Sequence, residues 1–287
     1  MHLREIATAS ELQHCCANDG LVMWAAQGFA PGVRAWRRGD AVAVASPYLS
    51  CRDRLAVHGP ADQVAALVNE VLGLVGPTYR LVGDATLIEA LPGRVAGLEV
   101  MGAFGWMETD RPVDRNSVVD RNSVVDGNSV VDGNSVVDRN SVVDGNSVVD
   151  GNSVVGGARW LEPGWSAVIA ELLYEAYPAS YARPGLVGVH RWAGSIDSGG
   201  ALAAVAADAW SAPEVGFVAG VAARVRSRGR GHAAAAFRLA VDTLVAKHGR
   251  VALMVNGANE AAVGLYRGCG LSWRTVAAAG VRTCVAA

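Results

Sequence analysis

Between Pro60 and Gly76 the apolar residues Val64, Leu67, Val68, Val71, Leu72 and Val75 recur three and four positions apart, lining one face of a helix. Asp62 suits the positive end of that helix, and Gly76-Pro77 ends it. A second stripe, Trp165, Val168, Ile169, Leu172, Leu173 and Ala176, predicts a helix that starts at Pro163-Gly164 and ends before Pro178. A third runs from Ala233 to His248 and buries Phe237, Val241, Leu244 and Val245. A fourth follows Asn259 with Ala262, Leu265, Tyr266 and Cys269, and stops at Gly270.

Strand patterns fall between these stripes. Val33 to Ala45 gives two short pieces around Arg38-Gly39-Asp40, the second apolar throughout and so expected to be buried on both faces. Tyr79 to Val82 and Thr86 to Leu91 read as further strands, while glycines interrupt any period in Val95 to Met107. In the second half, Leu186 to Ala193 and Ala201 to Trp210 read as strands joined by a turn-rich segment. Val215 to Arg224 reads as a third, with Gly220 a candidate bulge. Val251 to Val255 is a short buried strand, and Leu271 to Ala278 with Val281 to Val285 suggests a closing hairpin about Gly280.

Residues 114 to 155 are seven near-identical hexapeptides, Asp-(Arg/Gly)-Asn-Ser-Val-Val. Two readings stand side by side. A flexible linker fits because two apolar residues in six struggle to offset ordering entropy. A short left-handed β-solenoid fits because one aliphatic residue per six could face a core. Either way the tract divides the chain into an N-terminal α/β unit (1–113), a repeat (114–157) and a C-terminal unit (158–287).

Composition adds exclusions. With 51% apolar and 18% charged residues among 287, the chain can bury a substantial core. The net charge of -2 becomes about +2 once the repeat, with seven Asp and three Arg, is set aside. Neither value calls for a nucleic-acid or membrane partner. The five cysteines form no CxxC pair and no metal-ligand spacing, so a reduced, cytoplasmic setting without a bound metal is expected. No signal peptide or membrane-spanning run is read.

The chemistry concentrates in Arg226-Ser227-Arg228-Gly229-Arg230-Gly231-His232, between a strand and a helix. A strand that breaks into glycines and restarts as a helix leaves N-H groups aimed at an anion. Arg226-x-x-Gly229-x-Gly231 together with Asn259-x-x-Ala262-x-x-Leu265-Tyr266-x-x-x-Gly270 resembles the GCN5-related N-acetyltransferase (GNAT) family over residues 158 to 287. The N-terminal half could be a degenerate unit of the same kind.

The resemblance implies an α+β mixed sheet and acetyl-CoA as cosubstrate. Arg226, Arg228, Gly229, Arg230, Gly231, His232 and Ala233 would surround the pyrophosphate. Val221, Ala222 and Ala223 would bond the pantetheine arm, and Asn259 would meet the cofactor. Tyr266 would protonate the departing thiolate, although it also fits as an ordinary member of its stripe. Glu214, with Asp208 behind it, is the candidate general base, against the plainer reading of a solvated strand-end carboxylate. His190 reads as structural, and His232 as lining the pyrophosphate site. The acceptor would be an amine on a small molecule or peptide, and the protein a monomer or homodimer. A coenzyme A sensor without turnover and a scaffold built on the repeat are the alternatives. Two departures from the family pattern stand out. No proline lies between Val215 and Gly231, and Gly264 and Gly268 each weaken the last helix by about 1 kcal/mol relative to alanine.

Overall fold

The computed structural model describes residues 2–113 and 157–282; the hexapeptide repeat lies outside the described residues. The N-terminal half runs β1 (Arg4–Ile6), α1 (Ala9–Cys15), α2 (Gly20–Ala26), β2 (Arg34–Arg38), β3 (Ala41–Leu49) and β4 (Arg52–His58). It continues with α3 (Ala61–Val75), β5 (Arg80–Asp84), α4 (Ala85–Glu89) and β6 (Leu98–Thr109). The C-terminal half repeats this order: β7 (Ala158–Trp160), α5 (Ser166–Ala176), β8 (Val189–Ile196), β9 (Leu202–Ala209) and β10 (Gly216–Ala223). Then come α6 (His232–His248), β11 (Val251–Val255), α7 (Glu260–Gly268) and β12 (Ser272–Val281).

All twelve strands form one mixed sheet in the order β1-β2-β3-β4-β5-β12-β6-β11-β10-β9-β8-β7. The two halves exchange their last strands. β12 pairs with β5 through Val276–Asp84 to Ala279–Leu81, and β6 pairs with β11 through Val251–Thr109 to Val255–Gly105. Between them β6 and β12 pair antiparallel along their whole lengths, from Ser272–Glu108 to Val281–Leu98. The two parallel pairs, β4 with β5 and β10 with β11, occupy matching places in the two halves.

Side chains alternate across the sheet as the strand period requires. One face packs against α1, α2 and α5 in a core common to both halves, with Trp24, Trp106 and Phe217 at its centre. The opposite face carries α3 under the N-terminal half and α6 with α7 under the C-terminal half. β9 is buried at all eight positions, which explains its apolar run from Leu202 to Ala207.

Three sequence expectations are corrected. Thr86 to Leu91 opens as helix α4, because the Asp84 side chain accepts from Thr86 N and caps it. β12 runs straight through Gly280 to Val281, held by β6 on one side, so Gly280 forms no hairpin turn; residues 283 to 285 lie outside the described residues. The strand expected from Leu186 begins instead at Val189, after a tight turn in which Val189 N donates to Leu186 O. α1 and α2 were not legible. Every residue of α2 is buried, so its sequence carries no amphipathic period.

Candidate functional site

β10 and β11 pair only at Gly216–Val251 and Phe217–Ala252, and beyond these two residues the strands part. The edge of β10 from Val218 onward therefore has no strand partner among the described residues and borders an open slot. Its other edge stays paired with β9, with Ala222 opposite Val205 and Ala223 opposite Ala204. The register shifts between Ala219 and Ala222, so Gly220 and Val221 together oppose one residue of β9 in a bulge. Gly220 has φ +60°, and a Cβ there would lie 2.8 Å from the Trp192 ring and 3.2 Å from the Ala182 Cβ. Only glycine fits this kink.

Past the slot the chain enters the arginine-glycine turn. Arg224 ends β10 with its guanidinium on Glu171 (3.1 Å) and Glu175 (2.6 Å) of α5, which fixes where the turn begins. Gly229 (φ +70°) and Gly231 (φ +82°) are left-handed, and a Cβ at either would meet nothing within 4 Å. Glycine is thus required by conformation there and leaves open space above the backbone. Gly231 is the N-cap of α6 and offers no side-chain cap. The N–H groups of His232, Ala233 and Ala234 have no backbone acceptor among the described residues. Arg226, Arg228 and Arg230 are exposed around them. An uncapped helix start, two open glycines and three exposed cations fit a pyrophosphate.

His232 turns its side chain away from this surface. It is buried, with Nδ1 2.8 Å from Ser195 Oγ, and burial holds its pKa below the usual imidazole value. Its contribution to the turn is its main-chain N–H.

Tyr266, on α7, is buried against Phe237 of α6 with ring centroids 4.7 Å apart. Burial, reinforced by the nearby Tyr177 hydroxyl, pushes its pKa well above the ordinary phenol value. Asn259 caps α7, accepting from Ala262 N at 3.1 Å. Tyr266 belongs to the core between α6 and the sheet, and Asn259 opens the helix that carries it.

Glu214 is not brought to the open part of the slot, and Asp208, opposite Val218 where the slot begins, is buried. Glu214 precedes the Gly216–Val251 pair, at the closed end. It lines an open hollow of about 710 Å³ with Glu108, His248 and Arg250, and its Oε2 is buried without a partner. Asp208 is 2% exposed and already engaged: Ser211 Oγ donates to it at 2.7 Å and Arg191 Nε at 3.3 Å. Ser211 in turn accepts from Phe217 N, so Asp208 organises the strand junction. His190 is exposed on β8, where the register with β9 shifts.

The N-terminal half has the parallel pair without the turn. β4 reaches α3 through Gly59-Pro60 alone, and a Cβ on Gly59 would lie 2.5 Å from Asp40 O. Asp62 occupies the first turn of α3 and is paired with Arg94. That helix start is closed to an anion. Among the described residues no group of three or more His, Cys, Asp or Glu could hold a metal, and no helix is long and apolar enough to cross a membrane.

No family model matches the sequence, and no curated protein matches it. Solved structures do. A GCN5-related N-acetyltransferase from Sphaerobacter thermophilus is similar at 14% identity, over 98% of this chain and 96% of that one, with a TM-score of 0.55. One from Kribbella flavida is similar at 15% identity, over 96% of each chain, with a TM-score of 0.52. A GCN5-related N-acetyltransferase-like protein from Streptococcus suis is similar at 8% identity, over 96% of this chain and 98% of that one, with a TM-score of 0.51. The likeness spans both halves.

Proposed function

We propose, from the premise that this chain has the fold of the GCN5-related N-acetyltransferases, that it is an acetyl-CoA-dependent N-acetyltransferase with its one cofactor site in residues 158–287. The observation that carries the reading is the conjunction of the parted β10–β11 pair with the uncapped Gly229–Gly231 turn at its open end. Acetyl-CoA supplies an acetyl thioester that the acceptor nitrogen attacks directly. The turn holds the pyrophosphate on main-chain N–H groups, with Arg226, Arg228 and Arg230 adding charge. Val221 to Ala223 offer the free edge of β10 to the pantetheine amides, as a strand would.

Tyr266 donates its phenolic proton to the departing sulfur. Its raised pKa keeps that proton in place through the neutral range. Glu214 lies at the closed end and Asp208 is buried and already engaged, so the acceptor enters as its free amine and sheds its second proton to water. The same absence of a carboxylate favours one alternative, a coenzyme A sensor that binds without turnover. Thiol release across an amine panel separates the two: release with any amine supports the enzyme, and binding with no release supports the sensor.

A further inference from the structure

On the face of the sheet opposite α6, the N-terminal half touches the segment that packs on β10. The β3–β4 hairpin reaches across to the α5–β8 segment, where Arg52 Nη2 donates to the Tyr181 hydroxyl at 2.6 Å. Ala182, the next residue, packs on the Gly220 bulge. A chain of direct contacts thus joins an N-terminal guanidinium to the C-terminal slot.

Arg54 lies one strand period further along the same face of β4, beside the core that holds Trp24 and Phe217. Its Nε donates to Leu49 O (3.0 Å) and Ser50 Oγ (3.0 Å), and Nη2 donates to Ser50 Oγ (2.6 Å). No carboxylate forms an ion pair with Arg52, Arg54 or Arg80 among the described residues. Arg80 is the register partner of Arg54 on β5. Burial, with Arg52 and Arg80 nearby, brings the Arg54 pKa down to about 10.

Arg54 is half-buried, and a guanidinium drawn partly out of water with no anion beside it is costly. The hairpin that presents it is strained as well: Tyr48 (φ 57°), Ser50 (φ 48°) and Cys51 (φ 63°) are all left-handed without being glycine. Trp192, 5% exposed and packed on Gly220, has no acceptor for its Nε1.

We infer that the acceptor is an amine that also carries a carboxylate, received by Arg54 and Arg52 of the N-terminal half. Two guanidiniums offer planar, charge-assisted donors to a carboxylate, and no acid forms an ion pair with either among the described residues. The N-terminal half, which lacks a cofactor turn, then serves as the acceptor-selecting wall of the other half's site. This inference rests on the acetyltransferase reading above.

The test uses the full chain with acetyl-CoA and matched pairs of acceptors: the standard amino acids and their α-carboxamides. The preferred amino acid should exceed its carboxamide in kcat/KM by about tenfold or more, the loss expected of one charged hydrogen bond. Arg52→Gln, and separately Arg54→Gln, should collapse that ratio towards one while acetyl-CoA affinity stays at the wild-type value. Retained affinity shows that the variant is folded, and Arg52→Gln, the less buried change, serves if Arg54→Gln does not fold. Carboxamides used as well as acids, or a ratio unchanged in a coenzyme-binding variant, would overturn the inference. If no amine is turned over, the acetyltransferase reading fails by itself. Calorimetric binding of the amino acids to the chain saturated with coenzyme A then decides: binding lost in Arg52→Gln upholds the anion site, and no binding overturns it.

Discussion

The indole of Trp24, on α2, stacks on the ring of Phe217, on β10, with centroids 4.6 Å apart and planes 21° from parallel. Its Nε1 donates to Trp210 O at 2.8 Å, so a helix of the first half is fastened to the strand that borders the slot of the second. Trp24 is fully buried, and Trp24→Ala should cost about 3–5 kcal/mol. Because the core is common to both halves, the loss should appear as one shifted transition in chemical denaturation, the same by fluorescence and by far-ultraviolet circular dichroism. Two separated transitions in the wild type would contradict the shared core.

The exchange of β6 and β12 makes a sharper prediction. Residues 157–287 alone lack β5 and β6, leaving β12 unpaired on both sides and β11 on one. That fragment should be insoluble or unfolded when produced alone, and should be rescued when residues 1–113 are co-expressed and co-purify with it. A soluble, folded, monomeric fragment would count against the exchanged topology.

Much of the second half was legible because its elements are local. The stripe after Asn259, the Gly220 bulge and the left-handed glycines of the turn each announce themselves within a few residues. Strand exchange has no such signal: β12 reads the same whether its neighbour is β5 or β11, and its actual partners, β5 and β6, both lie in the other half of the chain. α4 was misread because five residues are too few to show a helical period, and the capping role of Asp84 decided it. Arg54 could have been noticed. Arg52-Asp53-Arg54 in a strand places two arginines on one face, with Asp53 on the other, where it accepts from Tyr48 N and Thr78 Oγ1.

Asp19 joins the halves electrostatically. It caps α2 through Leu21 N and Val22 N, and it receives both Nη atoms of Arg274 on β12. Burial alone would raise its pKa, but Arg274, the Val22 N–H and His58 outweigh burial and hold it below the ordinary carboxylate value. A depressed folded pKa contributes stability above the unfolded value of about 3.9 and loses it as pH falls through the folded value. Asp19→Asn, which keeps an oxygen for the cap, should therefore flatten stability against pH below about pH 4. Asp19→Ala should cost about 1 kcal/mol more than Asp19→Asn, the worth of the cap. Superimposable acid limbs for wild type and Asp19→Asn would refute the pairing.

Tyr266→Phe keeps the ring against Phe237 and removes the proton donor. Turnover should drop about 100-fold or more while acetyl-CoA affinity stays nearly constant. In the wild type, the raised pKa means that the rate should not fall through loss of this proton before about pH 10. Folding linkage has the same sign: the folded state holds the proton longer, so this residue's contribution is complete below about pH 10 and declines above it. Turnover unchanged in Tyr266→Phe would remove Tyr266 from the chemistry.

The most direct measurement is calorimetric titration of the full chain with acetyl-CoA, wild type beside Gly229→Glu. Among the described residues the turn exists only in the second half, so the wild type should bind one acetyl-CoA per chain. Gly229→Glu forces a side chain into a left-handed position and sets a negative charge in the cradle, and should weaken binding by about 30-fold or more. No binding by the wild type, two sites per chain, or an affinity untouched by Gly229→Glu would contradict the account.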